Sequence, residues 1–163
     1  MQDFYSAWLE RSESLEKTVS EAPRVAKGKN LNWVRTRQDS KAALMIAPET
    51  GFSTGGSLLM KAEIPVGWHT GKHLHGEEAI YIERGDGFMV LDDKRYNFHR
   101  GTIFHIPYRS SHQLFNTGKE PVLYISGLAW PLEAFLYMGR IEQIEDAGAN
   151  DAAALAKTPP EES

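Results

Sequence analysis

A chain of 163 residues, 41% hydrophobic and 25% charged, has the size of one domain with some length to spare, and can bury a core. Its 18 Lys plus Arg against 22 Asp plus Glu leave a net charge of −4 and no basic excess to neutralise phosphates, which argues against nucleic acid as a partner. The absence of cysteine removes disulfides, thiolate metal sites and cysteine nucleophiles; an N-terminus of acids and serines, with no run near ~20 apolar residues, points to a cytoplasmic protein with no membrane contact.

In chain order, Phe4, Tyr5, Trp8, Leu15 and Val19 recur at spacings of one helical face, which predicts an amphipathic helix from Asp3 to about Val19, docked on the core of its own domain or binding a partner. After the polar connector "APRVAKGKN" come short segments of strand type, from "LNWVRTR" through "SLLMKAEIPV", "AIYIERG" and "SHQLFNT" to "VLYISGLAW". Gly, Pro, Asn and Asp punctuate them, and the pattern predicts an antiparallel sandwich or barrel. "GDG" at Gly85–Gly87 reads as a hairpin turn, since no further glycines complete a nucleotide fingerprint. "PLEAFLYMGR" predicts a helix with proline in its first turn, ending at Gly139. From about Asp146 the chain is small and polar and reads as a mobile tail, with a helical turn or two around Ala152–Lys157.

The chemistry concentrates in "GWHTGKHLHGEE", Gly67 to Glu78, which holds three of the six histidines. His73 and His75 are two apart, so a strand would point both imidazoles to one side, within reach of a single ion. Glu78 has the wrong parity for an unbroken strand, and Gly76 supplies a place to bend it back; Glu77 is the competing carboxylate. A further ligand from another strand is offered by His112 in "HIPYRSSHQLFN". Imidazole nitrogens with one carboxylate suit Fe(II), Mn, Zn, Ni or Cu.

These positions resemble those of a known family, the cupins. Gly67, five residues, His73-x-His75, Glu78, then six residues and Gly85 are similar to the first cupin motif. Gly101, five residues, Pro107, then His112 and Asn116 are similar to the second, and the 15 residues Asp86 to Arg100 between them match the spacer of small single-domain cupins. The resemblance implies an all-β double-stranded β-helix, or jelly-roll barrel, with a divalent metal held by His73, His75, Glu78 and His112. With the helices added, the expected organisation is an N-terminal helix and strand extension packed on the barrel at 1–50, the barrel at 51–138, and a C-terminal segment with a short helix at 139–163. Two departures stand out: the gap from His75 to Glu78 is one residue shorter than the common form, and Arg109 stands where the second motif normally has glycine.

Three further residues are candidates for catalysis. Arg109 carries a fork of donors for an anionic substrate, or solvates the outside of its turn. His69 shares strand parity with His73 and would serve as a base or substrate contact, or sit at the rim near Trp68; His105 would act there or pack behind the ligands. Tyr81 and Tyr124 offer phenols, although parity from Glu78 points Ile80 and Ile82 inward in place of Tyr81. The resemblance implies a non-haem Fe(II) dioxygenase acting on a small aromatic, phenolic or diketone substrate. The alternatives are a non-oxidative isomerase, decarboxylase, lyase or hydrolase using Mn, Zn or Ni, and a non-enzymatic small-molecule binder. It also implies a homodimer.

Overall fold

The computed structural model describes residues 3–160. Asp3 caps the first helix, its carboxylate accepting from the backbone N–H groups of Tyr5 and Ser6, each at 3.0 Å. Helix α1, Phe4–Glu21, follows and buries none of its residues, which corrects the expectation of a helix packed on the barrel. Phe4 and Trp8 satisfy part of their apolar surface on each other, edge to face at 5.0 Å. The barrel core is made by strand residues and takes none from α1.

Strands β1 (Lys41–Ile46), β2 (Leu58–Ile64), β5 (Glu78–Arg84), β8 (Ile103–Ile106) and β10 (Val122–Leu128) form one antiparallel sheet in the order β1-β2-β10-β5-β8. The opposing sheet runs β11-β4-β9-β3-β12, from Glu142–Glu145, Lys72–Leu74, His112–Asn116, Trp68–His69 and Gly148–Ala149, with β6 (Gly87–Leu91) and β7 (Lys94–Phe98) joined through β9. Alternation decides which residues face in: along β5 Glu78, Ile80 and Ile82 are buried, while Ala79 and Tyr81 are exposed. Between the sheets Ile64, Ile80, Ile82, Met89, Leu114 and Val122 make the core. This is the jelly-roll arrangement expected, with the N-terminal helix and short helices α2 (Trp130–Phe135) and α3 (Ala152–Ala156) outside it.

The structure corrects other expectations. "LNWVRTR" supplies only one bridge, Val34 to Ala42. The glycines Gly85 and Gly87 do not close a hairpin: β5 and β6 belong to different sheets, and the pair turns the corner between them. Gly85 has φ 89°, and a Cβ on Gly87 would lie 2.0 Å from the Phe115 carbonyl oxygen, so both positions require glycine. Helix α2 stops at Phe135, before Gly139. The expected mobile tail is in part sheet: Gly148–Ala149 pair with Trp68–His69, after β11 just ahead of the tail has paired with β4. The unsatisfied edges of β3 and β4 accept any strand that can lie flat on them, and such backbone pairing leaves little mark on composition.

Candidate metal centre

Two strands and a sheet crossing bring the centre together. His73 on β4 is paired in register with His112 at the head of β9, so their side chains leave the sheet side by side. His75 lies just past β4; the chain then crosses to the opposite sheet, and Glu78 opens β5 facing back toward the histidines. The break in parity expected at Gly76 is therefore a change of sheet. Gly76 serves it through missing bulk, since a Cβ there would lie 1.7 Å from the Glu133 carboxylate. Glu133, on α2, accepts from the Glu77 N–H at 3.1 Å and so holds this crossing in place.

His73, His75, Glu78 and His112 are all buried, and one ligand-type atom from each falls within 4.8 Å of the others. His73 Nε2 and His112 Nε2 are 2.8 Å apart, and Glu78 Oε2 lies 3.2 Å from His75 Nε2 and 3.1 Å from His112 Nε2. Glu78 Oε2 nevertheless lacks hydrogen-bond geometry to any partner, a buried anionic oxygen left unsatisfied. Donor atoms about 3 Å apart, one from each of four side chains, fit neighbouring ligands of one ion at ~2.1 Å. The other edges of the rings are tied down. His75 Nδ1 donates to the Gly76 carbonyl at 2.9 Å and His112 Nδ1 to that of Ser110 at 3.2 Å, which leaves both Nε2 lone pairs turned inward. The Ser126 hydroxyl donates to Glu78 Oε1 and fixes the carboxylate from β10.

The electrostatics suit a cation. Burial, with the neighbouring imidazoles His112 and His75 adding to it, lowers His73 to about 3, so this ring stays neutral and able to coordinate. Burial would raise the Glu78 carboxyl, but His112 and His75 beside it outweigh that and hold it well below its usual range. Burial likewise opposes charge on His75, yet Glu78, the Gly76 carbonyl and Glu133 raise it overall. Three imidazoles and a carboxylate thus form a set that fits a divalent metal.

The cluster forms the floor of a cavity of about 490 Å³, inside the ~300–1,000 Å³ range of small-molecule sites. Its walls are largely apolar, with Leu58, Met60, Ile80, Leu114 and Trp130 among them. Its mouth is framed by exposed lining residues of two segments, Val34 and Arg37 ahead of β1 and Ile141 beside β11, while Asp39 is buried in the wall. These segments hold each other, through Arg37 Nε on Asp146 at 2.9 Å and the Arg37 carbonyl accepting from Ala147 N–H at 2.8 Å.

The remaining candidates lie elsewhere. Glu77 is exposed and pairs with the exposed His105 at 2.8 Å, so these two residues satisfy each other outside the main cavity. His69 is buried but faces away from the cluster, its Nδ1 donating to the Thr70 carbonyl at 2.8 Å and its ring against Phe115. Arg109 adopts φ 66°, the left-handed conformation for which the second motif normally uses glycine, and its N–H donates to the His75 carbonyl at 2.7 Å. Its guanidinium leaves the cavity to pair with Glu142 at 3.2 Å. The structure does not bring His69, His105 or Arg109 to the cluster. Of the two tyrosines, Tyr124 lines the cavity and Tyr81 is exposed. Asp39, Ser126 and Glu133 went unnoticed in the sequence. Only Ser126 left a signal there, sharing inward parity with Tyr124 on β10.

Two antiparallel sheets closed around a buried three-histidine, one-glutamate cluster define a β-barrel protein with a site that fits a divalent metal. Residues 60–127 match the family model of the cupin domain. An uncharacterised protein of Methanocaldococcus jannaschii is 36% identical over 66 residues, which are 39% of this chain and 53% of that protein, so the match spans about half the relative's length. Among solved structures, the polyketide cyclase RemF from Streptomyces resistomycificus superposes with a TM-score of 0.57 at 16% identity, over 64% of this chain and 78% of its own. A salicylate 1,2-dioxygenase from Pseudaminobacter salicylatoxidans gives 0.54 at 17%, over 63% of this chain and 29% of its own. At such identities the likeness shows the fold alone. Among the described residues no helix is long and apolar enough to cross a membrane.

Proposed function

We propose that the protein is a metal-dependent enzyme, a non-haem Fe(II) dioxygenase acting on a small aromatic, phenolic or diketone substrate. The observation that carries this reading is the aim of three imidazoles and Glu78 Oε2 into the floor of an apolar cavity large enough for such a ring. His73, His75, Glu78 and His112 would hold the ion, which when bound would supply open positions for a chelating substrate and, as Fe(II), redox chemistry toward dioxygen. The chain's own residues do the rest. Ser126 orients Glu78, the Gly76 and Ser110 carbonyls orient His75 and His112, and Ile80, Leu114 and Trp130 exclude water from the bound ring.

A specific observation favours a second reading, non-oxidative chemistry with Mn, Zn or Ni: the cavity wall carries a hydrogen-bonded Asp39–Tyr124 pair able to take up and pass on a proton. Oxygen uptake by protein reconstituted anaerobically with Fe(II), on a panel of catechols, hydroquinones and β-diketones, separates the two. Consumption of dioxygen with loss of substrate is the expected result. Turnover of a panel member without dioxygen would transfer the assignment to the second reading. The expected homodimer belongs to the same proposal, and light scattering of the full chain tests it.

A further inference from the structure

Asp39 is 2% exposed, lies before β1 and outside the matched family region, and lines the cavity. Among the described residues it makes no ion pair; the Tyr124 hydroxyl donates to its Oδ1 at 2.5 Å, and Oδ2 receives no hydrogen bond. Thr36 Oγ1 accepts from the N–H groups of Asp39 and Gln38 at 2.8 and 3.1 Å, so the turn that presents the carboxyl is fixed. A buried carboxylate without a cation is costly, and one kept in a cavity wall marks a functional group. Three titratable groups on the barrel face it: Tyr124 on β10, Glu78 on β5 and His112 on β9. Burial raises Asp39 to about 6; the Tyr124 bond and His112 oppose this, and the charge of Glu78 adds to it.

We propose that Asp39 is the proton acceptor for a neutral substrate bearing a weakly acidic hydroxyl or enol and no carboxylate, with Tyr124 as its positioning residue. This rests on the metal-site reading above. Glu78 and Asp39 together balance the two charges of a divalent ion, so the loaded cavity is neutral before substrate arrives. In the step proposed, the substrate O–H bond breaks, its electron pair stays on the substrate oxygen, and the proton forms an O–H bond with Asp39. Nothing is oxidised or reduced, and the cavity remains neutral. A carboxylate substrate would instead bring a net charge into a low-dielectric site. Among the described lining residues the one Lys or Arg is Arg37, already engaged by Asp146.

The test uses the full chain loaded with redox-silent Zn(II) and catechol as probe, at pH 7.5, where the Asp39 carboxyl is ionised beforehand. Calorimetric titration in two buffers of different ionisation heat counts the protons released per catechol bound. The wild type is expected to release close to none. Asp39→Asn keeps an oxygen for Tyr124 to donate to, and so preserves a purely structural pin. It is expected to release about one proton and to bind at least about tenfold more weakly. Equal affinity and proton count in the two proteins would overturn the role of Asp39, and salicylate binding as tightly as catechol would overturn the substrate class. Failure of the zinc-loaded wild type to bind catechol would instead strike the metal-site reading itself. Should Asp39→Asn not fold, the wild type alone decides: its catechol affinity is flat through neutrality if Asp39 takes the proton, and climbs about tenfold per pH unit there if solvent does.

Discussion

The floor and the mouth of the cavity are built by different means. The floor comes from adjacent barrel strands: one registered pair, His73 with His112, one sheet crossing at Gly76, and carbonyls that lock the rings. The mouth comes from two segments far apart in sequence, Val34–Gln38 and Ile141–Asp146, clasped by one exposed ion pair, a Gln143–Gln38 side-chain bond and a few backbone bonds. The floor is thus specified by ligand chemistry, whereas the mouth is joined to it through backbone pairing such as that of β11 with β4. Binding of an ion and choice of substrate therefore rest on different residues.

The comparison is broken most severely at the floor. His112→Ala removes one donor and leaves Glu78 facing a void; metal affinity is expected to fall by more than about 100-fold in calorimetric titration, with the mouth intact. Acid acts on the same place. In metal-free protein, His73 is lowered from 6.5 to about 3 and Glu78 from 4.5 to a still lower value, so the unfolded chain binds more protons than the folded one. The stability of both groups is present above their unfolded values and is lost as pH falls, for His73 from about 6.5 toward 3 and for Glu78 below 4.5. Asp39, raised from 3.8 to about 6, opposes this between those two values, and His75, raised from 6.5, opposes it above its unfolded value, since each holds its proton more readily in the folded state. Thermal midpoints at pH 5.5 and 4.5 are expected to fall in that order, and added Zn(II) to raise the midpoint at pH 7.5.

One layer back, Ser126→Ala frees the Glu78 carboxylate to rotate, and a loss of roughly tenfold in metal affinity is expected by titration. At the mouth, Arg37→Ala breaks a pair exposed on both sides. Urea unfolding should show a change below about 1 kcal/mol, with metal affinity unaltered. Smallest is the effect of deleting residues 1–23: α1 buries nothing, so the barrel's thermal midpoint should not move. A marked fall would show that the helix supports the barrel after all.

The same division explains what could be read from the sequence. Strand parity and motif spacing put His73, His75, Glu78 and His112 together, because each sits on or beside a strand whose side chains alternate. Parity also picked Ile80 and Ile82 as core and set Tyr81 outside. It failed where pairing is long-range and made by backbone: β11 and β12 join the sheet through residues just ahead of, or in, what looks like a tail. Asp39 was invisible for the same reason, since its partner Tyr124 is 85 residues away. Arg109 misled because a charged residue beside a histidine suggests chemistry, whereas its backbone fills a left-handed turn and its side chain answers Glu142. The helical pattern of α1 was correct as a helix, but an apolar ridge does not by itself say what covers it.

The most direct measurement is elemental analysis, with calorimetric titration of Zn(II), on the full wild-type chain beside His112→Ala. The structure predicts one tightly held divalent ion per wild-type chain and none retained by the variant, with both proteins folded. A wild type that holds no ion, or a variant that holds one as tightly, would contradict the metal centre.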